Sequence, residues 1–279
     1  MSETGRPLEF EKLITLEPAG DDAFAAVLHD YEDGRGFGGD VLGRVFLAAR
    51  RTCSPGRRLC SFHALFLRPA PVGVPMRIEV ERVKDGRRLC QRRARMRAGD
   101  KAICELVATF GSGVAGPTYQ EAVAPAVPPP EALPSDVEVA RREGLDWRPG
   151  EVEWRWVEEG WHATGPDDSS LFRAWARPRE PMPDDPALHE AALAYLSDFG
   201  SHWSVVRRVG DGFDFGSFAS VDQGLWVHRP VRWTDWWLIV SRSDVARDGH
   251  CFTRRHVYDA DGDLLASGSQ EGLYMEASG

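Results

Sequence analysis

The chain has 279 residues, 42% of them hydrophobic and 28% charged, with 34 basic and 43 acidic residues for a net charge of −9. That length suits two domains of roughly 150 residues or one large one, and the composition is too apolar for a disordered chain. No run of ~18 apolar residues offers a membrane span, the acidic balance argues against a nucleic-acid binder, and the N-terminus MSETGRPLEFEKL lacks the basic and apolar regions of a secretory signal.

In chain order, Gly39–Thr52 is the first clear helix, with Val41, Leu42, Val45, Phe46 and Ala49 on one face. Ser61 to Phe66 alternates apolar residues with His63, and Phe66-Leu67-Arg68-Pro69 leads into the alternating strand Met76–Val83. A turn at Lys84-Asp85-Gly86 precedes Arg92–Arg97, and a turn at Gly99-Asp100 precedes Ala102–Phe110. The proline-rich stretch Ala122–Pro134 reads as an extended linker, because proline removes backbone donors and disfavours helix before it. A second helix spans Asp185–Phe199, with Asp184 or Asp185 as its cap and Pro186 in its first turn. Its buried stripe is Leu188, Ala191, Ala192, Tyr195 and Leu196. Strands follow at Trp236–Ser241, Cys251–Tyr258 and Leu264–Gln270.

The two halves repeat. Arg68-Pro69 and Arg229-Pro230 are 161 residues apart, and Arg92-Arg93 and Arg254-Arg255 are 162 apart. Strand signals in one order at one offset predict two copies of an antiparallel meander, each preceded by a long apolar helix. A twisted meander wrapped around its own helix is the hotdog arrangement. The expected fold is therefore α+β, a double hotdog: an N-terminal repeat over 1–120, a proline-rich linker over 121–146 and a C-terminal repeat over 147–279.

Five cysteines without a CxxC pair (Cys53, Cys60, Cys90, Cys104 and Cys251) read as reduced thiols in a cytoplasmic protein. Eight histidines without H-E-x-x-H spacing give no metal site. Asp198 reads either as a solvated carboxylate at a helix end or as a base at the rim of the core. Gln270 reads as a polar strand residue or as a holder of water, and Ser220 as a strand serine, with no G-x-S-x-G elbow around it. Arg87–Arg97 is a solvated strand face or a phosphate clamp, with Ala94 and Met96 on one side and Arg93, Arg95 and Arg97 on the other. The tryptophans, all after residue 146, read as core or interface mass.

Several separate segments resemble the acyl-CoA thioesterase II family, the TesB-like double-hotdog proteins. Gly36-Phe37-Gly38-Gly39 is similar to the family's F-G-G, and Ser61 through Pro69 to its S-F-H-S-x-F-L-R-P. Tyr195-Leu196-Ser197-Asp198 resembles Y-x-S-D, Asp222 through Pro230 resembles D-H-S-M-W-F-H-R-P, and Leu265 through Gly272 resembles L-V-A-S-x-x-Q-E-G. The resemblance covers nearly the whole chain and is weakest over about 120–180. It implies hydrolysis of a fatty acyl-CoA to free acid and CoA, within fatty acid metabolism and with no cofactor. The family's catalytic Asp, hydroxyl and Gln fall on Asp198, Ser220 and Gln270, and His63, Arg93 and Gly39 would contact substrate. The chain departs from the family at Ser220 (usually Thr), Gln223 (usually His) and Asp40 (usually Gln). Helix alignment puts Phe46 opposite Asp198, and Thr109 takes the place of Gln270, so one active site per chain is expected. Acyl-CoA is the expected partner, with no membrane and no nucleic acid, in a homo-oligomer (dimer or tetramer). The alternatives are a hotdog hydratase or dehydratase, which needs an Asp-His pair, and a non-catalytic acyl-CoA-binding protein.

Overall fold

The computed structural model describes residues 10–29, 36–144, 150–158, 170–209 and 218–274. Trp147, where the sequence places the start of the second repeat, and Trp161 lie outside the described residues. A short helix α1 (Phe10–Leu13) and strands β1 (Glu17–Pro18) and β2 (Ala23–Val27) lead to the long helix α2 (Gly38–Arg51). Strands β3 (Arg58–Phe66), β4 (Pro75–Asp85), β5 (Leu89–Ala98) and β6 (Lys101–Gly111) follow. Then come α3 (Asp136–Glu143), β7 (Val152–Trp156), β8 (Leu171–Pro178), α4 (Pro186–Leu196) and α5 (Ser201–Val209). The chain closes with β9 (Phe218–Val227), β10 (Trp237–Arg247), β11 (His250–Asp259) and β12 (Leu264–Tyr274).

All twelve strands join one antiparallel sheet in the order β1-β2-β4-β5-β6-β3-β9-β12-β11-β10-β8-β7. The order is mirrored about the β3–β9 seam, where Phe62 pairs with Leu225. Alternation decides which side chains face the helices. Phe62, Ala64, Ala94, Met96, Leu106 and Ala108 are buried inward, while His63, Arg93 and Arg95 point out. The double hotdog expected from the sequence is the fold observed.

Helices α2 and α4 pack antiparallel inside the sheet, and small residues let them approach. A Cβ on Gly39 would collide with the Tyr195 carbonyl oxygen, and one on Gly43 would lie 3.5 Å from that of Ala191. The cap of α4 is Asp185, whose side chain accepts from the Ala187 N–H at 2.9 Å, with Pro186 at the first helical position.

Three sequence expectations change. The second helix ends at Leu196 rather than Phe199, because Ser197 turns its hydroxyl back to the Ala194 carbonyl at 2.6 Å and Gly200 takes φ +93. A separate helix, α5, follows. The linker 121–146 is only partly extended: Pro130–Ala132 forms a 3-10 turn, and Ser135 and Glu138 form a reciprocal capping box that starts α3. The linker is also docked, with Pro128 accepting from the Trp175 indole at 3.0 Å. Finally, Phe46 lies in the middle of α2, packed on Phe110 and Phe62, and does not correspond in place to Asp198. Thr52 caps α2 through the Ala49 carbonyl as Ser197 caps α4, so Cys53 holds the place in the first half that Asp198 holds in the second.

Candidate active site

Asp198 lies in the turn between α4 and α5, two residues past the last residue of α4. The same turn faces the start of α2, whose N-cap, Phe37, supplies no side-chain bond. The Asp198 carboxylate accepts the Gly39 backbone N–H instead and so caps α2 from across the fold. Glycine at position 38 is required by this approach, since a Cβ there would sit 2.5 Å from Asp198 Oδ2.

Ser220 and Gln270 come to Asp198 from two neighbouring strands. Gln270 Nε2 donates to Asp198 Oδ1 at 2.7 Å and to Ser220 Oγ at 2.8 Å, and Ser220 Oγ donates to Asp198 Oδ1 at 3.2 Å. A register shift makes the meeting possible. Glu271 pairs with Asp222 but Gly272 pairs with Ser220, so Val221 is the extra residue and the chain bends at Ser220. The three residues that the sequence named singly thus form one hydrogen-bonded cluster.

The cluster sits against a cavity of about 480 Å³. Asp198, Ser220 and Gly38 line it, with an apolar wall that includes Phe37, Phe66, Ile103, Phe199, Trp203 and Phe218. Gln270 is buried behind Asp198 and Ser220 rather than on the wall. Burial pushes the Asp198 carboxyl up from its ordinary value, against the opposing pull of the Arg255 cation and the donors Gln270, Ser220 and Gly39. His202, on the same wall, is pushed down to about 4 by burial, which leaves it neutral near pH 7.

The other sequence candidates are placed differently. Gly39 reaches Asp198 through its N–H. His63 is on the outer face of the sheet, its ring edge-on to Trp226 at 5.2 Å, and does not line the cavity. Arg93 is also on the outer face, paired with Glu81 at 3.1 Å and Glu105 at 3.3 Å. Arg95 bonds Glu105 at 2.6 Å, and the buried Arg92 bonds Asp85 at 2.6 Å, so carboxylates of the fold already occupy much of the arginine run. The three departures are also accounted for. Asp40 is buried and turned to Arg44 at 2.5 Å, away from Asp198. Gln223 donates to Ser197 Oγ and so anchors the residue just before Asp198. Ser220 keeps the hydroxyl that the cluster uses.

Sequence reasoning missed Ser201 and Arg255. Ser201 Oγ donates to Gln270 Oε1, and Arg255 donates to Ser201 Oγ at 2.6 Å. A signal was present, because the alternation Cys251, Thr253, Arg255, Val257 sends a charged residue inward with apolar ones.

A carboxylate, a hydroxyl and an amide gathered at an apolar cavity make this a double-hotdog protein with a buried polar site. The Acyl-CoA thioesterase N-terminal domain profile matches residues 29–111, and the Acyl-CoA thioesterase C-terminal domain profile matches 122–274. The chain is 26% identical over 274 residues to "Acyl-CoA thioesterase 2" of Haemophilus influenzae, covering 94% of this chain and 95% of that one. It is similar to the crystal structure of acyl-CoA thioesterase II TesB2 from Mycobacterium marinum, with TM-score 0.79, 30% identity and 97% and 98% of the two chains covered. A hot dog fold protein of unknown function from Alicyclobacillus acidocaldarius shares the fold, with TM-score 0.80, 23% identity and 96% and 98% coverage. The chain belongs to the TesB-like acyl-CoA thioesterase II family of thioester hydrolases. No helix among the described residues is long and apolar enough to cross a membrane.

Proposed function

We propose that this chain hydrolyses a fatty acyl-CoA to the free acid and CoA at one site, built on Asp198, Ser220 and Gln270. The observation that carries the reading is the mutual hydrogen bonding of these side chains on the wall of a mostly apolar cavity. Asp198 takes a proton from water as the water oxygen attacks the thioester carbonyl carbon. The tetrahedral intermediate then collapses, the C–S bond breaks, and the CoA thiolate leaves with the proton that Asp198 took from water, which restores the carboxylate. Ser220 helps orient the water, while Gln270 fixes Ser220 and Asp198 from behind. The carbonyl oxygen gains its charge near the first-turn N–H groups of α2, where Gly38 forms part of the wall. The apolar wall takes the acyl chain.

Arg68 is a better candidate than Arg93 for a CoA phosphate, because it is exposed on the cavity wall and has no carboxylate partner among the described residues. His63 has no role in this scheme. The first half lacks a matching site, since Cys53 holds the place of the carboxylate and Thr109, expected in the place of Gln270, lies between the inward-facing Ala108 and Phe110 and so faces outward. The division into repeats at 121–146 belongs to the same reading. Exposed Leu65, Val107 and Trp226 on the central strands support a homo-oligomer joined through the outer sheet face, and five free cysteines support a cytoplasmic setting.

One observation favours a second reading. His202 lines the same cavity as Asp198, so a hydratase-type Asp-His pair has its residue types present. A thiol-release screen over short, medium, long and aromatic acyl-CoAs, run beside an absorbance assay with a 2-enoyl-CoA, separates the readings. Thiol release with fatty acyl-CoA supports hydrolysis. Consumption of the enoyl group without thiol release supports hydration, and thermal stabilisation without either supports binding alone.

A further inference from the structure

Arg255 is an unusual residue for the interior. It is 3% exposed and on the helix-facing side of β11, where an unpaired cation costs several kcal/mol. The corresponding strand of the first half also buries an arginine, but Arg92 there is neutralised by Asp85 at 2.6 Å. Arg255 has no carboxylate within ion-pair distance among the described residues. It donates instead to two buried hydroxyls, Ser241 Oγ at 3.1 Å and Ser201 Oγ at 2.6 Å. The anion whose field it feels is Asp198.

The polarity of this arrangement is determined by chemistry. Guanidinium can only donate, so Ser201 must accept from Arg255 and send its own proton elsewhere. The acceptor it meets is Gln270 Oε1. With that oxygen held, the amide nitrogen of Gln270 faces the other way, toward Asp198 Oδ1 and Ser220 Oγ. The flipped amide would set an oxygen against the carboxylate and an N–H₂ against the Ser201 proton. A neutral amide alone has no such preference built in.

We propose that Arg255 and Ser201 are positioning residues for hydrolysis, a one-way hydrogen-bond relay that locks the Gln270 amide and thereby the Asp198–Ser220 pair. This rests on the reading of Asp198, Ser220 and Gln270 given above. The relay accounts for why a charged group is buried behind the site. It also gives the Asp198 carboxylate a counter-charge two hydrogen-bonded side chains away, which favours ionisation without occupying the carboxylate itself.

The test uses kcat and KM for thiol release by Ser201→Ala, Ser201→Thr, Gln270→Ala and the double variant Ser201→Ala/Gln270→Ala. Ser201→Ala should lower kcat about 10- to 100-fold with KM little changed, because the loss is one of alignment. Ser201→Thr keeps the hydroxyl and should restore most of the rate. Ser201→Ala should cost nothing further once Gln270 is alanine, since the relay acts through that amide. Wild-type kcat in Ser201→Ala beside an impaired Gln270→Ala would overturn the relay, as would an equal loss in both backgrounds. A wild-type rate in Gln270→Ala would instead remove the site reading on which the relay rests.

Arg255→Gln provides a second measurement that does not depend on the Ser201 variants. The groups facing Asp198 are Arg255 from β11, Gln270 from β12, Ser220 from β9, the Gly39 N–H from α2, Cys104 from β6 and His202 from α5. Only Arg255 among them is a cation near neutral pH, so its removal should move the acid limb of kcat/KM to higher pH. An unmoved limb would contradict the proposed coupling.

Discussion

At the scale of single residues, the proposed chemistry turns on one carboxylate held in two opposing fields. Burial disfavours the charge on Asp198, while Arg255, Gln270, Ser220 and the Gly39 N–H favour it, and burial wins, so its folded pKa is raised. A base must be ionised in the free enzyme. The rate constant kcat/KM should therefore fall as pH drops through a midpoint above the ordinary Asp value of about 3.9. The stability sign runs the other way. A raised folded pKa contributes stability that is full below the unfolded pKa and lost as pH rises through the folded value. The charged form of Asp198, which the proposed mechanism needs, is thus a stability cost. His202, held to about 4, would give a limb near that value. A midpoint at or below it, or a limb that persists in Asp198→Asn, would assign the titration elsewhere.

At the scale of elements, the site is a junction of four: the start of α2, the turn after α4, the bulged start of β9 and the neighbouring strand β12. Gly38 is where their spacing is tightest. Gly38→Ala would drive a Cβ to within 2.5 Å of Asp198 Oδ2, closer than side chains tolerate. The carboxylate must shift, and overpacking of this kind costs about 1–3 kcal/mol. We expect Gly38→Ala to remain folded with a lowered melting temperature and to lose thiol release far beyond that change. Full activity would show that the helix start does not set the carboxylate position.

Much of this junction was readable beforehand, for reasons of period and punctuation. Helix α2 and strands β4 to β6 follow from 3.6- and 2-residue repeats bounded by Asp-Gly and Gly-Asp turns. The offset of 161 to 162 residues then carries the pattern into the second half. Other parts were hidden by equally definite causes. Helix α5 begins directly after Gly200, in a Ser-His-Trp-Ser segment whose apolar stripe is short. Strand β7 does alternate, with Val152, Trp154 and Trp156 against Glu153 and Arg155, but no turn pair or offset match marks it. Ser220 and Gln270 could be named from motif resemblance, yet their contact depends on a bulge at Val221 that alternation does not encode. His63 and Arg93 lie on strands that do reach the core, but their parity points them outward.

At the scale of the whole molecule, the halves are joined by the β3–β9 seam, the α2–α4 contact and a buried ion pair across it. Glu190 of α4 accepts from Arg50 of α2 at 2.8 Å and from the Leu59 N–H of β3 at 2.9 Å. Its side chain is 6% exposed and that of Arg50 is 12% exposed. Removing one partner of such a pair leaves the other buried and unpaired, at about 3–5 kcal/mol. Glu190→Ala should lower the melting temperature by several degrees while unfolding remains a single transition, because the β3–β9 seam and the α2–α4 contact still bind both halves into one cooperative body. Two separated transitions in a calorimetric scan would show that the halves unfold independently.

On the proposed reading, the same unity explains why a repeat can carry one site. The second half supplies Asp198, Ser220 and Gln270, and the first half supplies the helix start that Asp198 caps and part of the apolar wall. The most direct measurement is kcat/KM for thiol release from a fatty acyl-CoA by wild type and Asp198→Asn, with folding checked by circular dichroism. Loss of a general base predicts a fall of about 10²- to 10⁴-fold in a folded variant. Undiminished thiol release by Asp198→Asn, beside an active wild type, would contradict the assignment of Asp198 as the base.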